Sequence, residues 1–130
     1  MILVDTSAIC ALASADDGFH GDAEDRAARL ASSREPLLLH TYVLCEAFAL
    51  LQRRLGLSMA LRVDSALREH ETVTVDRSLH DRAVARLRAG GKSRTSLVDA
   101  VSFEVMRERG IECAFAFDTD FEAAGFRLFR

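Results

Sequence analysis

The chain has 130 residues, a formal net charge of -3, and 49% hydrophobic against 28% charged residues. This is globular composition for one domain, residues 1–130, large enough to bury a core without staples and neither disordered nor fibrous. The charge does not advertise nucleic-acid binding, and three cysteines (Cys10, Cys45, Cys113) without zinc or Cys-x-x-Cys spacing read as reduced core thiols of a cytoplasmic protein.

Met1 to Val4 is short, β-rich and uninterrupted, as a strand buried on both faces would be. Asp5 ends that apolar run too early for a signal peptide. Ser7 is placed to cap a helix to about Ala13, and Gly18 to Ser32 carries Phe19, Ala23, Ala27 and Leu30 at helical spacing. After Pro36, Leu37 to Leu39 reads as a second strand. Thr41 is placed to cap a helix to about Leu55, stopped by Gly56. His40, Thr41 and Glu46 exclude a membrane span over Leu37–Leu51. Ser58 to about Glu69 predicts a shorter helix, Thr72 to Val75 a strand, and Asp76 the cap of a helix to Ala89. Ser96 to Arg109 predicts a long helix stopped by Gly110. Ile111 to Phe117 predicts a strand, Asp118 or Thr119 to Ala124 one helical turn, and Phe126 to Phe129 an edge strand.

Strands alternating with helices predict an α/β fold with a mainly parallel sheet and helices on its faces. Ligands of such sheets bind at the carboxyl ends of the strands. Asp5 and Asp118 each follow a strand and would share that rim. Glu46 and Asp99 lie one or two turns into helices able to pack beside it.

Those four carboxylates stand where the chain is otherwise most apolar, and no arginine or lysine lies within five residues of Asp5 or Asp118. Carboxylates among apolar side chains are costly unless compensated. A shared divalent cation is the simplest compensation for all of them. Taken singly, three have bland readings: Asp5 and Asp118 as helix caps, and Asp99 in a loose capping box with Ser96. Glu46 has a weaker alternative, because Arg53, the nearest arginine in its helix, is not at ion-pair spacing.

Other signals fail. Gly91-Lys92-Ser93 resembles the tail of a P-loop, but Arg86 occupies the place of its first glycine. A phosphatase of the Asp-x-Asp type would need an acid at Ser7. A receiver domain would need a second acid at Thr6 and a later lysine. The histidines form no His-x-x-x-His pair, and no serine sits in a nucleophile elbow. Sixteen of seventeen basic residues are arginine, and Arg77 to Arg94 holds six basic residues against Asp81. That local +5 patch is either a solvated helix face or a track for a phosphate backbone.

Ile2-Leu3-Val4-Asp5-Thr6-Ser7, Glu46 within Val43-Leu44-Cys45-Glu46-Ala47, Ser96-Leu97-Val98-Asp99-Ala100, and Phe117-Asp118-Thr119-Asp120 with Gly125-Phe126 together resemble the PIN-domain ribonucleases, in particular VapC-type toxins. The resemblance spans nearly the whole chain. It implies a three-layer α/β/α sandwich around about five strands, and metal-dependent endonucleolytic hydrolysis of RNA. Asp5, Glu46, Asp99 and Asp118 would be the catalytic acids and would hold one or two Mg²⁺ or Mn²⁺ ions. The metal would activate water and neutralise transition-state charge. Asp120, Thr6, Ser7 and Ser96 would be accessory, orienting carboxylates or water. Arg82, Arg86, Arg88, Lys92 and Arg94 would track the RNA backbone. The resemblance also implies a cognate antitoxin that covers the acidic groove, and a homodimer for which the helices Thr41–Leu55 and Ser58–Glu69 are candidates. Two alternatives stand beside this reading: a non-catalytic PIN-like module that binds RNA or a partner, and a metal-dependent phosphatase.

Overall fold

The computed structural model describes residues 1–90 and 94–130. Five strands, β1 (Ile2–Val4), β2 (Leu37–His40), β3 (Glu71–Val73), β4 (Cys113–Phe115) and β5 (Arg127–Leu128), form one sheet in the order β3-β2-β1-β4-β5. Every pairing is parallel. The helices are α1 (Thr6–Ala13), α2 (His20–Ser33), α3 (Thr41–Leu55), α4 (Leu57–Leu67), α5 (Arg77–Gly90), α6 (Leu97–Arg109) and α7 (Asp120–Ala123).

Alternation along the short strands builds two cores. Ile2, Val4, Leu39 and Phe115 pack with α1 to α4 on one face. Leu3, Leu38 and Ala114 pack with α5, α6 and Phe121 on the other. Both faces are covered, which is why the strands read as continuous apolar runs. The result is the expected three-layer sandwich with a central five-stranded sheet.

Local competition for hydrogen bonds moves several boundaries. Thr41 does not cap α3. The cap is His40, whose Nδ1 accepts from Val43 N–H, while Thr41 Oγ1 accepts from Val75 N–H and helps end β3 at Val73. Ser7 does not cap α1; Asp5 does. The predicted strand 111–117 contracts to Cys113–Phe115. Ile111 N–H closes α6 on Met106 C=O beyond Gly110, which has φ 66°, and Phe117 N–H donates to Ser7 Oγ. Backbone donors engaged at both ends are lost to the ladder. Among the thiols, Cys10 is buried as expected and Cys45 is exposed.

Candidate active site

Because all the strands are parallel, the carboxyl ends of β1, β2 and β4 meet at one rim. Asp5 leaves β1 there and is 3% exposed. Its Oδ2 accepts from Ser7 N–H (3.1 Å) and from Ser7 Oγ–H (2.6 Å). Ser7 Oγ in turn accepts Phe117 N–H at 3.0 Å. One hydroxyl therefore ties the β1–α1 junction to the segment leading into Asp118. The capping reading of Asp5 holds, and the same contacts set it at the rim.

Asp99 sits in the first turn of α6. Ser96 caps this helix, its Oγ accepting Asp99 N–H at 3.0 Å. Asp118 follows β4, and its Oδ1 accepts Asp120 N–H at 2.9 Å. Asp99, Asp118 and Asp120 each place a carboxylate oxygen within 4.8 Å of the others, a set that could hold a metal ion. Asp120, expected to be accessory, thus stands in the tightest acidic group. Asp5 and Glu46 lie close enough for their charges, with that of Asp118, to act on Asp99.

The electrostatics carry a cost. Burial first, then the charges of Asp5, Asp118 and Glu46, push the Asp99 carboxyl up to about 7. Burial also raises the Asp5 carboxyl, although its bonds to Ser7 and Thr6 pull the other way. Among the described residues no cation pairs with Asp5, Glu46, Asp99, Asp118 or Asp120. Thr6 Oγ1, beside Asp5, is the buried side-chain polar atom left without a hydrogen-bond partner among the described residues. Converging carboxylates with only oxygen donors fit a hard divalent cation such as Mg²⁺ or Mn²⁺.

The basic patch divides on folding. Arg77 pairs with Asp81 (3.1 Å), Arg82 with Glu108 (3.3 Å), and Arg86 with Glu104. Three of the six basic residues are thus opposed within α5 or by α6. Arg88 is exposed on α5. Arg86, Arg94, Thr95, Phe103 and Asp120 line one groove of about 790 Å³, which runs from α5 to the acidic cluster. Lys92 lies outside the described residues.

One polar residue at the rim was undervalued in the sequence. His40 caps α3 but is fully buried, and its Nε2 lies 2.8 Å from Ser102 Oγ on α6. Nδ1 accepts from Val43 N–H, so Nε2 carries the proton and donates to Ser102. Burial holds the imidazole neutral, lowering it to about 4. A single ring thereby joins the helices that carry Glu46 and Asp99. Its signal in the sequence was weak: a histidine ending an apolar strand immediately before a helix.

A PIN-domain family model matches residues 2–127. The chain is 42% identical over 132 residues to the 23S rRNA-specific endonuclease VapC20 of Mycobacterium tuberculosis, in strains CDC 1551 and H37Rv, covering 97% of this chain and 95% of that protein. It also resembles the crystal structure of M. tuberculosis VapC20, a sarcin–ricin-loop-cleaving toxin, with TM-score 0.85 and 39% identity over 97% of this chain and 96% of that one. The chain therefore belongs to the PIN-domain family and stands among its VapC20-like ribonuclease toxins.

Proposed function

We propose that this protein is a metal-dependent endoribonuclease toxin that hydrolyses a phosphodiester bond in the sarcin–ricin loop of 23S rRNA. The observation that carries the chemistry is the convergence of Asp99, Asp118 and Asp120, with Asp5 and Glu46 in electrostatic reach and no described cation among them. The target follows from the likeness to VapC20 along nearly the full length of both chains.

Asp99, Asp118 and Asp120 would hold the cation, with Asp5 and Glu46 as direct or outer partners. When bound, Mg²⁺ or Mn²⁺ supplies Lewis-acid activation of water and neutralises charge on the phosphoryl group. The chain's own residues do the positioning. Ser7 fixes Asp5 against the Asp118 segment, and Ser96 anchors the turn that presents Asp99. The groove lined by Arg86 and Arg94 leads the RNA backbone toward the acids while Asp120 borders its end. A cognate antitoxin would silence the enzyme by covering this acidic rim. Leu55, Leu57 and Leu61, at least 40% exposed around the α3–α4 turn, support a homodimer through that face. No helix among the described residues is long and apolar enough to cross a membrane.

The test is incubation of ribosomes with purified, antitoxin-free protein in Mg²⁺, in Mn²⁺ and in EDTA, with cleavage mapped by primer extension. One cut in the sarcin–ricin loop that requires metal is expected. Metal binding without any RNA cleavage would instead support the non-catalytic module, and phosphate release from small phosphoesters the phosphatase.

A further inference from the structure

Phe19 opens α2 and is 49% exposed. Its ring lies nearly parallel to that of Phe117, with centroids 4.7 Å apart and planes at 17°. The guanidinium carbon of Arg26 lies 4.6 Å from the Phe117 centroid. Phe117 immediately precedes Asp118, and its N–H is held by the Ser7 hydroxyl that also donates to Asp5. The aromatic pair is thus built onto the same hydroxyl that sets the acidic rim. In the loop before α2, Asp17 Oδ1 accepts Phe19 N–H at 2.8 Å and so fixes the start of that helix.

A lone exposed phenylalanine carries no message. This one is different in company. It is braced from behind by Phe117, whose ring also carries the Arg26 guanidinium and which immediately precedes Asp118 among the carboxylates read as a phosphodiester-cleaving centre. The groove with Arg86 and Arg94 flanks the other side of those acids. We propose that Phe19, backed by Phe117 and Arg26, is a stacking platform for one unpaired nucleobase beside the scissile phosphate. This rests on the ribonuclease reading and adds a selection rule to it. RNA sequence is read mostly in loops, where a base can be splayed onto an aromatic face. A paired, stacked base has no free face to offer. Arg26 supplies the positive charge for the adjoining phosphate, offsetting Asp17. The platform therefore favours loop RNA over duplex RNA at the position next to the cut.

The experiment uses the full chain carrying Asp99→Asn, in which cleavage should be slow enough for RNA binding to be read. The probe is a hairpin with the sarcin–ricin loop sequence, bearing 2-aminopurine at each unpaired position in turn. Fluorescence quenching at one position is expected, and Phe19→Ala should remove it while weakening binding about tenfold, the scale of one base–aromatic stack. Phe19→Trp should preserve both. Phe19→Leu, which keeps apolar bulk but lacks a π-face, should behave like Phe19→Ala. An unchanged melting temperature and unchanged Mn²⁺-induced thermal shift of the Phe19 variants, made in the wild-type background, show that fold and acidic site survive. Wild-type affinity in Phe19→Ala or Phe19→Leu overturns the platform, as does a variant that keeps RNA affinity but loses self-association. If the parent protein cuts RNA and no position is quenched, only the platform falls. If it neither binds nor, with Asp99 restored, cuts any RNA, the ribonuclease reading falls with it.

Discussion

Two groups of buried polar residues lie at the same rim and have opposite energetics. His40 and Ser102 are completely buried but satisfied: each ring nitrogen has a partner, and the imidazole stays neutral. Asp5 and Asp99 are almost as buried, yet they face other carboxylates with no described cation between them, and Asp99 is pushed up to about 7. The first group is what a fold does with polar residues for its own sake. The second is a cost that the cap Asp5 makes on α1 offsets only in part, as expected of a site prepared for a ligand. The comparison teaches where to look for function: at polar groups whose burial the protein leaves uncompensated.

Asp99→Asn breaks the contrast most sharply. It should cut RNA cleavage roughly 10–100-fold or more, the scale of losing a metal-site group. In EDTA at neutral pH the same variant should unfold later than wild type, because it removes a buried charge held among like charges. The gain is of order a few kcal/mol, from the separation between 3.8 and about 7, read by denaturant titration. A destabilised Asp99→Asn protein would refute the view that this rim is strained.

Saturating Mn²⁺ should stabilise wild type by about 2.7 kcal/mol at a hundredfold excess over Kd, and Asp99→Asn should lose most of that thermal shift. His40→Ala should do the reverse of Asp99→Asn. It should cost about 2–3 kcal/mol with or without metal, because it removes a cap and leaves Ser102 and Val43 N–H without their partner.

The pH dependence separates the two groups by sign. The folded Asp99 carboxyl binds its proton more tightly than an unfolded one, so its contribution to stability is fully present below about 3.8 and is lost as pH rises to about 7. Folded His40 binds its proton less tightly than in the unfolded chain. Its contribution is therefore fully present above about 6.5 and is lost as pH falls toward about 4. In metal-free wild type the two slopes oppose each other between those limits. In Asp99→Asn the histidine slope is opposed only by that of Asp5, whose carboxyl burial also raises, so stability should fall less, or rise more, between pH 4 and 6.5 than in wild type. An unchanged profile on adding His40→Ala to that variant would exclude a contribution from His40. The smallest effect belongs to Arg94→Ala, which should weaken RNA binding modestly across sequences and reduce the slope of log affinity against log salt by about 1.

Much of this was legible in the chain. The order of strands and helices, the parallel sheet and the four isolated acids follow from periodicity and from carboxylates interrupting apolar runs, which are local patterns. Element ends were less legible, because they depend on which distant group takes a backbone donor. Thr41 looked like a cap until Val75 N–H took its hydroxyl, and Phe117 looked like strand until Ser7 took its N–H. The basic patch shows the same limit: its charges add along the chain, but Glu104 and Glu108 oppose two of them only once α6 lies against α5. Sequence alone determined the kinds of chemistry available, since residue type and spacing carry that information. Only tertiary structure decided that Asp120 joins Asp99 and Asp118, that His40 bridges α3 and α6, and that Phe19 stacks beside the rim. These are contacts between segments far apart in the chain, and a parallel sheet brings such segments to one edge by geometry that no local pattern encodes.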